Sequence, residues 1–324
     1  MAVTTAADYT VNIQEMLANL VLMEAADQSV LMPWINHYSI NGMAGKDSLV
    51  LSRQIDPGEA TAGTEGTDFI TNTTVGTTGS TLTPTEGAIA QIKITHDAVE
   101  ERTGLPSMSA LINTNDEALI RAGLALEIGV ISRMVMRKWE QDVTALLPAL
   151  NSGVFAGTNT VDATLSDFLT GLTLLENQEG LPHNDLVCFC DIEFFANLRD
   201  DFLTGNYPSA VLNLDIASFV EHRADMPRLG VQGGAVGIPL VRFGATARET
   251  ATGVFSALVL RGDGAPETEG SGQIGTFAMV EGRPLTIDWD KSVESRATTV
   301  QANSKYVIGE RADEFGQAFE TDAP

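Results

Sequence analysis

Apolar positions recur at helical spacing over the stretch from Asp116 to Leu147, the longest such run in the chain. It holds no Pro, and only Gly123 and Gly129 interrupt good helix formers, so roughly 32 residues at about 1.5 Å each predict a rod of ~48 Å. Thr114 and Glu117 have capping-box spacing, Asp116 adds negative charge where the helix dipole favours it, and Pro148 with Asn151, Ser152 and Gly153 closes the far end. Leu119, Ile120, Leu124, Leu126, Val130, Ile131, Val135 and Trp139 form an apolar surface wide enough to be covered on more than one side. Ala118, Ala122, Ala125, Gly129 and Ser132 make a second stripe, small enough for a neighbouring element to approach the backbone.

The same reading predicts an amphipathic helix from Val11 to Ala26, a strand from Ser48 to Ile55, and a second strand from Ala88 to Thr95. Between those strands, Gly58 to Gly87 is crowded with Thr, Gly, Ser and acids, with Phe69, Ile70, Val75 and Leu82 as isolated apolar points. Two strands joined by such an excursion suggest an extended hairpin that buries little of itself and needs a neighbour to order it. Further on, Leu165 to Leu175 reads as a helix, Asp185 to Cys190 as a short apolar strand and Ile192 to Leu203 as a helix. Strands follow at Pro239 to Phe243 and Ala257 to Leu260, giving a mixed sheet flanked by helices. The last third alternates strands and turns: Gly275 to Val280, a turn at Gly282 to Pro284, Leu285 to Trp289, and a long run from Ala297 to Ile308, with Phe315 and Phe319 anchoring the tail.

Composition narrows the function classes. With 324 residues the chain can bury a substantial core as one elaborated domain or two ordinary ones, and its 44% hydrophobic and 19% charged content is that of a soluble globular protein. Forty-three acidic against nineteen basic residues give a net charge of -24, which disfavours nonspecific attraction to nucleic acid or to anionic membrane. The first basic residue is Lys46, so the start of the chain has neither a secretory n-region nor an Arg-rich transit character. No apolar run is long enough to cross a bilayer. Cys188 and Cys190, the only cysteines, stand too close on an extended stretch for a disulfide framework, which points to a reducing compartment.

Candidate chemistry is thin. Gly270, Gly272 and Gly275 match a dinucleotide-binding spacing, but no strand precedes them and no helix follows, so they read as a loop. Cys188 and Cys190, with His183 and Asp185 nearby, suggest a metal site only loosely and fit buried structural thiols better. The four histidines are scattered, and no nucleophile turn appears. Glu100 with Glu101, and Asp200 with Asp201, are adjacent pairs that point in different directions on a helix. Arg261-Gly262-Asp263 reads as an ordinary turn, and Asn72-Thr73-Thr74 as a glycosylation triplet without a secretory route. No catalytic residue, cofactor or metal is expected.

The order of N-terminal arm, Thr/Gly-rich hairpin, long helix, helix-strand-helix unit and late returning strands resembles the major capsid proteins of tailed phages, the Hong Kong 97 fold. Leu181-Pro182-His183-Asn184-Asp185-Leu186-Val187-Cys188-Phe189-Cys190, followed by Phe194, Leu198 and Arg199, is similar to that family's turn, core strand and helix in the axial domain. Tyr306-Val307-Ile308-Gly309-Glu310-Arg311 with Phe315 is similar to its closing strand and terminal segment. The resemblance implies an α+β fold with an N-terminal arm at 1–45 and an extended β-hairpin loop at 46–97. A long-helix peripheral domain at 98–160, a mixed-sheet axial domain at 161–274 and C-terminal strands at 275–324 complete it.

It further implies a structural protein, not an enzyme. Copies would self-assemble as hexamers and pentamers into an icosahedral shell enclosing double-stranded DNA without specific binding, built in a host bacterial cytoplasm and found in the virion. Portal, scaffolding or decoration proteins are the implied partners, with no membrane. Crosslinking through a loop lysine, known in some members, is not expected, because no Lys lies between Lys46 and Lys93. Encapsulins share the fold and enclose a cargo enzyme instead; an α/β enzyme is the alternative of another class. Arg133 and Arg137 lie one turn apart on the long helix, and the family places a neighbour's loop across that helix. The loop acids Asp56, Glu59, Glu65 and Asp68, with Phe69 beside them, are therefore the expected intersubunit contacts of Arg133 and Arg137. The competing expectation is an intrahelical role, Arg137 with Glu140 and Lys138 with Asp142.

Overall fold

The computed structural model describes residues 6–41, 43, 47–54, 77–158, 161–176, 186–204, 228–230, 237–244, 247–248, 254–262, 275–292, 296–311 and 315–322. Its centre is helix α4, Glu117–Thr144, with α1 (Ala6–Gln28) packed along it. Two short helices, α2 (His96–Thr103) and α3 (Met108–Ile112), lead into α4 and were not expected from the periodicity. Each is capped by a side chain: Thr95 accepts from the Ala98 amide, and Ser107 from the Ala110 amide. The cap of α4 is Asp116, which accepts from the Leu119 amide at 3.1 Å; Thr114 instead donates to the Leu111 carbonyl, so the Thr114–Glu117 capping box does not form.

Helices α1 and α4 cover one face of a four-stranded sheet, ordered β1 (Asn36–Ser39), β10 (Phe277–Ser292), β11 (Ala297–Glu310), β4 (Thr85–Thr95). Strand alternation puts Leu285, Ile287, Val300, Ala302, Ala90 and Ile94 into the core, while Asp288 and Asp290 face out. The expected turn at Gly282 to Pro284 is a pair of register shifts inside one continuous strand, between Glu281 and Arg283 and between Arg283 and Thr286. Irregular pairing absorbs Pro284, which has no amide to donate.

The hairpin is paired differently from expectation. Strand β2 (Leu49–Gln54) pairs with β3 (Thr77–Leu82), and among the described residues the two form a ribbon of their own, outside the ladders of either larger sheet. The strand expected as its partner, β4, pairs with β11, because Ala90 and Ile94 have a core to enter there. Leu51 and Leu82 tuck the ribbon's root against Ile40, Ala278 and Val280.

The six-stranded mixed sheet is ordered β5 (Phe155–Ala156), β12 (Gly316–Thr321), β9 (Val254–Leu260), β6 (Leu186–Asp191), β8 (Gly237–Phe243), β7 (Arg228–Gly230). Helices α5 (Leu165–Glu176) and α6 (Ile192–Thr204) pack on one of its faces through Phe168, Leu172, Phe194 and Leu198. The other face, with Val187, Phe189, Val241, Val259 and Ala318, joins the core beneath α4. Between α4 and β5, Asn151 and Ser152 hold positive φ of 52° and 56°, a left-handed turn steadied by Asn151 donating to the buried Gln317 at 2.7 Å.

Candidate interface on helix α4

The outward stripe of α4 is built from residues three and four apart. Ile120, Leu124, Ile131, Val135 and Trp139 face the core, which turns Ala122, Leu126, Val130, Arg133 and Arg137 the other way. Leu126 is 69% exposed, so the broad apolar surface expected from the sequence is covered on one side only. Of the small-residue stripe, Ser132 is buried and Gly129 lies against Glu24 of α1, whereas Ala118, Ala122 and Ala125 are exposed. The close approach falls instead at Gly123, where an added Cβ would stand 2.6 Å from Thr103 and 2.9 Å from Leu111. Arg102 of α2 pairs there with Glu127.

Arg133 and Arg137 are both exposed, and Arg133 Nε donates to the Gly129 carbonyl at 3.1 Å. Among the described residues neither has a carboxylate partner. Lys138 pairs with Asp142 at 2.5 Å as expected. The Arg137–Glu140 pair does not form, because Glu140 is turned into the protein and accepts from the Val30 amide at 2.7 Å and from Ser29 Oγ at 3.2 Å. Burial holds the Glu140 carboxyl above its ordinary value, against those hydrogen bonds. The Asp56, Glu59, Glu65, Asp68 and Phe69 partners lie outside the described residues.

A cleft of about 340 Å³ opens between α4 and β4, lined by Thr85 to Ile89, Lys138, Asp142, Ala145 and Tyr306 to Ile308. Asp142 is its hinge point, taking the Lys138 ammonium on one oxygen and the Tyr306 hydroxyl at 2.6 Å on the other. Burial, and then Asp142, push the Tyr306 phenol well above its usual range, so it stays a donor. Sequence reasoning missed this chain of contacts, since Asp142 and Tyr306 are 164 positions apart.

The remaining candidates that lie among the described residues are structural. Cys188 and Cys190 are fully buried with sulfurs 3.3 Å apart, and burial pushes the Cys188 thiol up, which leaves it an inert thiol. His183, Asp185, Gly270, Gly272 and the Asn72 triplet lie outside the described residues. Gly262 donates to the Trp34 carbonyl at 2.7 Å and Arg261 stacks on the Trp34 ring, so both are tied to the Trp34 segment, while Asp263 lies outside the described residues. Among the described residues no group of three or more His, Cys, Asp or Glu could hold a metal ion. No described helix is long and apolar enough to cross a membrane.

No family profile and no curated protein matches the chain. Solved structures do. The mature capsid of bacteriophage PhiM1 superposes over 92% of this chain and 88% of its own, with a TM-score of 0.53 at 13% identity. The capsid of Helicobacter pylori bacteriophage KHP30 covers 89% and 87%, with a TM-score of 0.52 at 10% identity. The holo-SrpI encapsulin complex from Synechococcus elongatus PCC 7942 covers 88% and 84%, with a TM-score of 0.51 at 10% identity. The chain has the capsid-protein fold. The mixed α+β class read from the sequence is the class observed.

Proposed function

We propose that this protein is a shell protein, many copies of which self-assemble into a closed icosahedral particle of hexamers and pentamers. The observation that carries the reading is the whole-chain likeness to shell subunits, at TM-scores above 0.5, from two phage capsids and an encapsulin. A small ribbon outside both sheets, with almost no core of its own, fits a part completed by a neighbour. The finer reading is the major capsid protein of a tailed phage, enclosing double-stranded DNA in the virion. The net charge of -24 suits an inner surface that contains DNA without gripping it. In this reading 46–97 is the extended loop, its last strand β4 returning to the four-stranded sheet, 98–160 is the peripheral part, 161–274 the axial part, and 275–324 the C-terminal strands that return to the peripheral part, except β12, which closes into the six-stranded sheet. The loop acids Asp56, Glu59, Glu65 and Asp68, with Phe69, meet Arg133 and Arg137 of an adjacent copy.

An encapsulin shell is the second reading, favoured by the likeness to the SrpI complex over 88% of the chain. Purification of the expressed protein followed by electron microscopy tests the shell itself: closed particles are expected, and a small soluble oligomer at all concentrations refutes it. Particles isolated from the natural host separate the two readings, since DNA content marks a phage capsid and a stoichiometric second protein with no DNA marks an encapsulin.

A further inference from the structure

The chain leaves the four-stranded sheet for the ribbon through a tight turn. Ile40 is buried in the small cluster with Leu51, Leu82, Ala278 and Val280, and its amide donates to the Glu281 carbonyl at 2.8 Å. The Met43 amide returns to the Ile40 carbonyl at 3.1 Å, which puts Asn41 inside the turn. Asn41 is exposed, and its backbone amide donates to Ser39 Oγ at 3.3 Å. Its side-chain carboxamide has no hydrogen-bond partner among the described residues. The residue that follows is Gly42, and Asn41-Gly42 is the only Asn-Gly pair in the sequence. Glycine has no side chain to stand between its main-chain nitrogen and the preceding carboxamide.

We propose that Asn41 is a site of spontaneous, backbone-assisted deamidation. The Gly42 main-chain nitrogen bonds to Cγ of Asn41 and gives up its proton. The Cγ–Nδ2 bond breaks, and ammonia leaves with that proton, so a succinimide ring remains. Water then opens the ring at either carbonyl, giving aspartate or isoaspartate. The balance is one water in and one ammonia out, with no change of oxidation state.

The fold selects this asparagine over others that precede a small residue. Asn151 precedes Ser152, but its Nδ2 donates to Gln317 at 2.7 Å and its backbone is fixed at a φ of 52°. Asn303 precedes Ser304, but its Nδ2 donates to Asp288 at 2.8 Å, its Oδ1 accepts from Gln301 at 2.8 Å, and it lies inside the β10–β11 ladder. A carboxamide held in this way does not swing onto the nitrogen that follows it. Asn41 has no such restraint among the described residues. An isoaspartate there routes the main chain through an added carbon between Ile40 and Met43, which spoils the geometry of the turn's hydrogen bond. The new carboxylate also places a charge at the root of the ribbon. A subunit locked in a shell is not replaced while its particle lasts, so the change accumulates there. The chemistry itself needs no assembly, and it is tested on the free subunit whatever the fate of the shell reading.

The purified protein is held for weeks at neutral and at mildly alkaline pH, digested and mapped by mass spectrometry, with isoaspartate labelled by an isoaspartyl methyltransferase. The peptide carrying Asn41 should convert from amide to acid, faster at the higher pH because the attacking nitrogen must shed its proton. Peptides carrying Asn151 and Asn303 should stay unchanged. Conversion should be lost in Asn41→Gln, whose longer side chain closes a less favourable ring. Amides of Leu49–Gln54 and Thr77–Leu82 should exchange faster in the converted protein than in fresh Asn41→Asp, which has the charge without the added main-chain carbon. A synthetic peptide of residues 38–46 is the reference: if it converts and the folded protein does not, the proposal is overturned. Equal conversion at Asn151 or Asn303 overturns selection by the fold. Exchange no faster than in Asn41→Asp overturns the effect on the ribbon.

Discussion

The carboxylate of Glu140 accepts the amide of Val30 at 2.7 Å, and this contact ties the end of α1 to the buried flank of α4. Ser29 Oγ, bonded to the same carboxylate, also accepts from the Met32 amide, so one acid fixes the whole turn that follows α1. Glu140→Ala leaves those groups without their acceptor and should cost about 1–3 kcal/mol in urea unfolding. Faster amide exchange in α1 is the accompanying sign.

The pH dependence of that site follows from burial. A carboxyl whose folded pKa is raised favours the folded state most when protonated, so its contribution is complete below the unfolded value and lost as pH rises through the folded one. Wild type should therefore gain stability relative to Glu140→Gln as pH falls from neutral toward 4. A constant difference in melting temperature across that range would contradict the assignment.

His37 has the opposite sign. Burial lowers its pKa although its ring bonds to the Met32 carbonyl at 3.1 Å. Its contribution is complete above the unfolded value near 6.5 and is lost as pH falls through the folded value. His37→Gln should flatten the part of the acid-unfolding profile that lies just below pH 6.5, measured by circular dichroism.

Asp191 is fully buried and held by Arg248 Nε at 2.8 Å, while its other oxygen accepts the Glu193 amide at the start of α6. Arg248→Met strands that carboxylate and should destabilise by about 3–5 kcal/mol. Asp191→Asn in the same background should recover part of the loss, read by guanidinium denaturation.

At Gly171 an added Cβ would lie 2.3 Å from the Phe319 ring, inside the Phe168–Phe319–Phe194 cluster. Gly171→Ala should cost about 1–3 kcal/mol through overpacking. Gly87→Ala has open space around it and is the matched control.

Reversing charge on the outward stripe probes the interface itself. Arg133→Glu should raise the threshold concentration for particle formation, with partial recovery when Glu59 or Glu65 becomes Lys, each exposed pair contributing ~0.2–1 kcal/mol. Assembly of Arg133→Glu at the wild-type threshold refutes the contact.

Elements with strong local periodicity were legible in the sequence. The helices at Leu165–Glu176 and Ile192–Thr204, the strand Leu186–Asp191 and most of α4 stand where apolar spacing put them. Pairing was less legible, because which strand meets Leu49–Gln54 depends on what core the candidates find elsewhere, and Ala90 and Ile94 found theirs beside β11. Helices α2 and α3 were missed for lack of length, although the Thr95 and Ser107 caps marked their starts. Glu140 was read as a solvated partner for Arg137. Its place one turn before Thr144, between Trp139 and Val143 on a buried flank, was the available signal.

Strands β6, β8, β9 and β12 are apolar on both faces, with Phe189, Val241, Val259 and Ala318 on one side and Cys188, Leu240, Leu258 and Phe319 on the other. They act as a party wall between two hydrophobic rooms, and the room under α4 runs without a break from the wall to the four-stranded sheet. The molecule thus resists bending between its sheets, since any flexure must open one continuous packed volume. Helices α5 and α6, roofing the other room, can loosen while that volume stays closed, so slow exchange should persist longest along Val187, Phe189 and Val259.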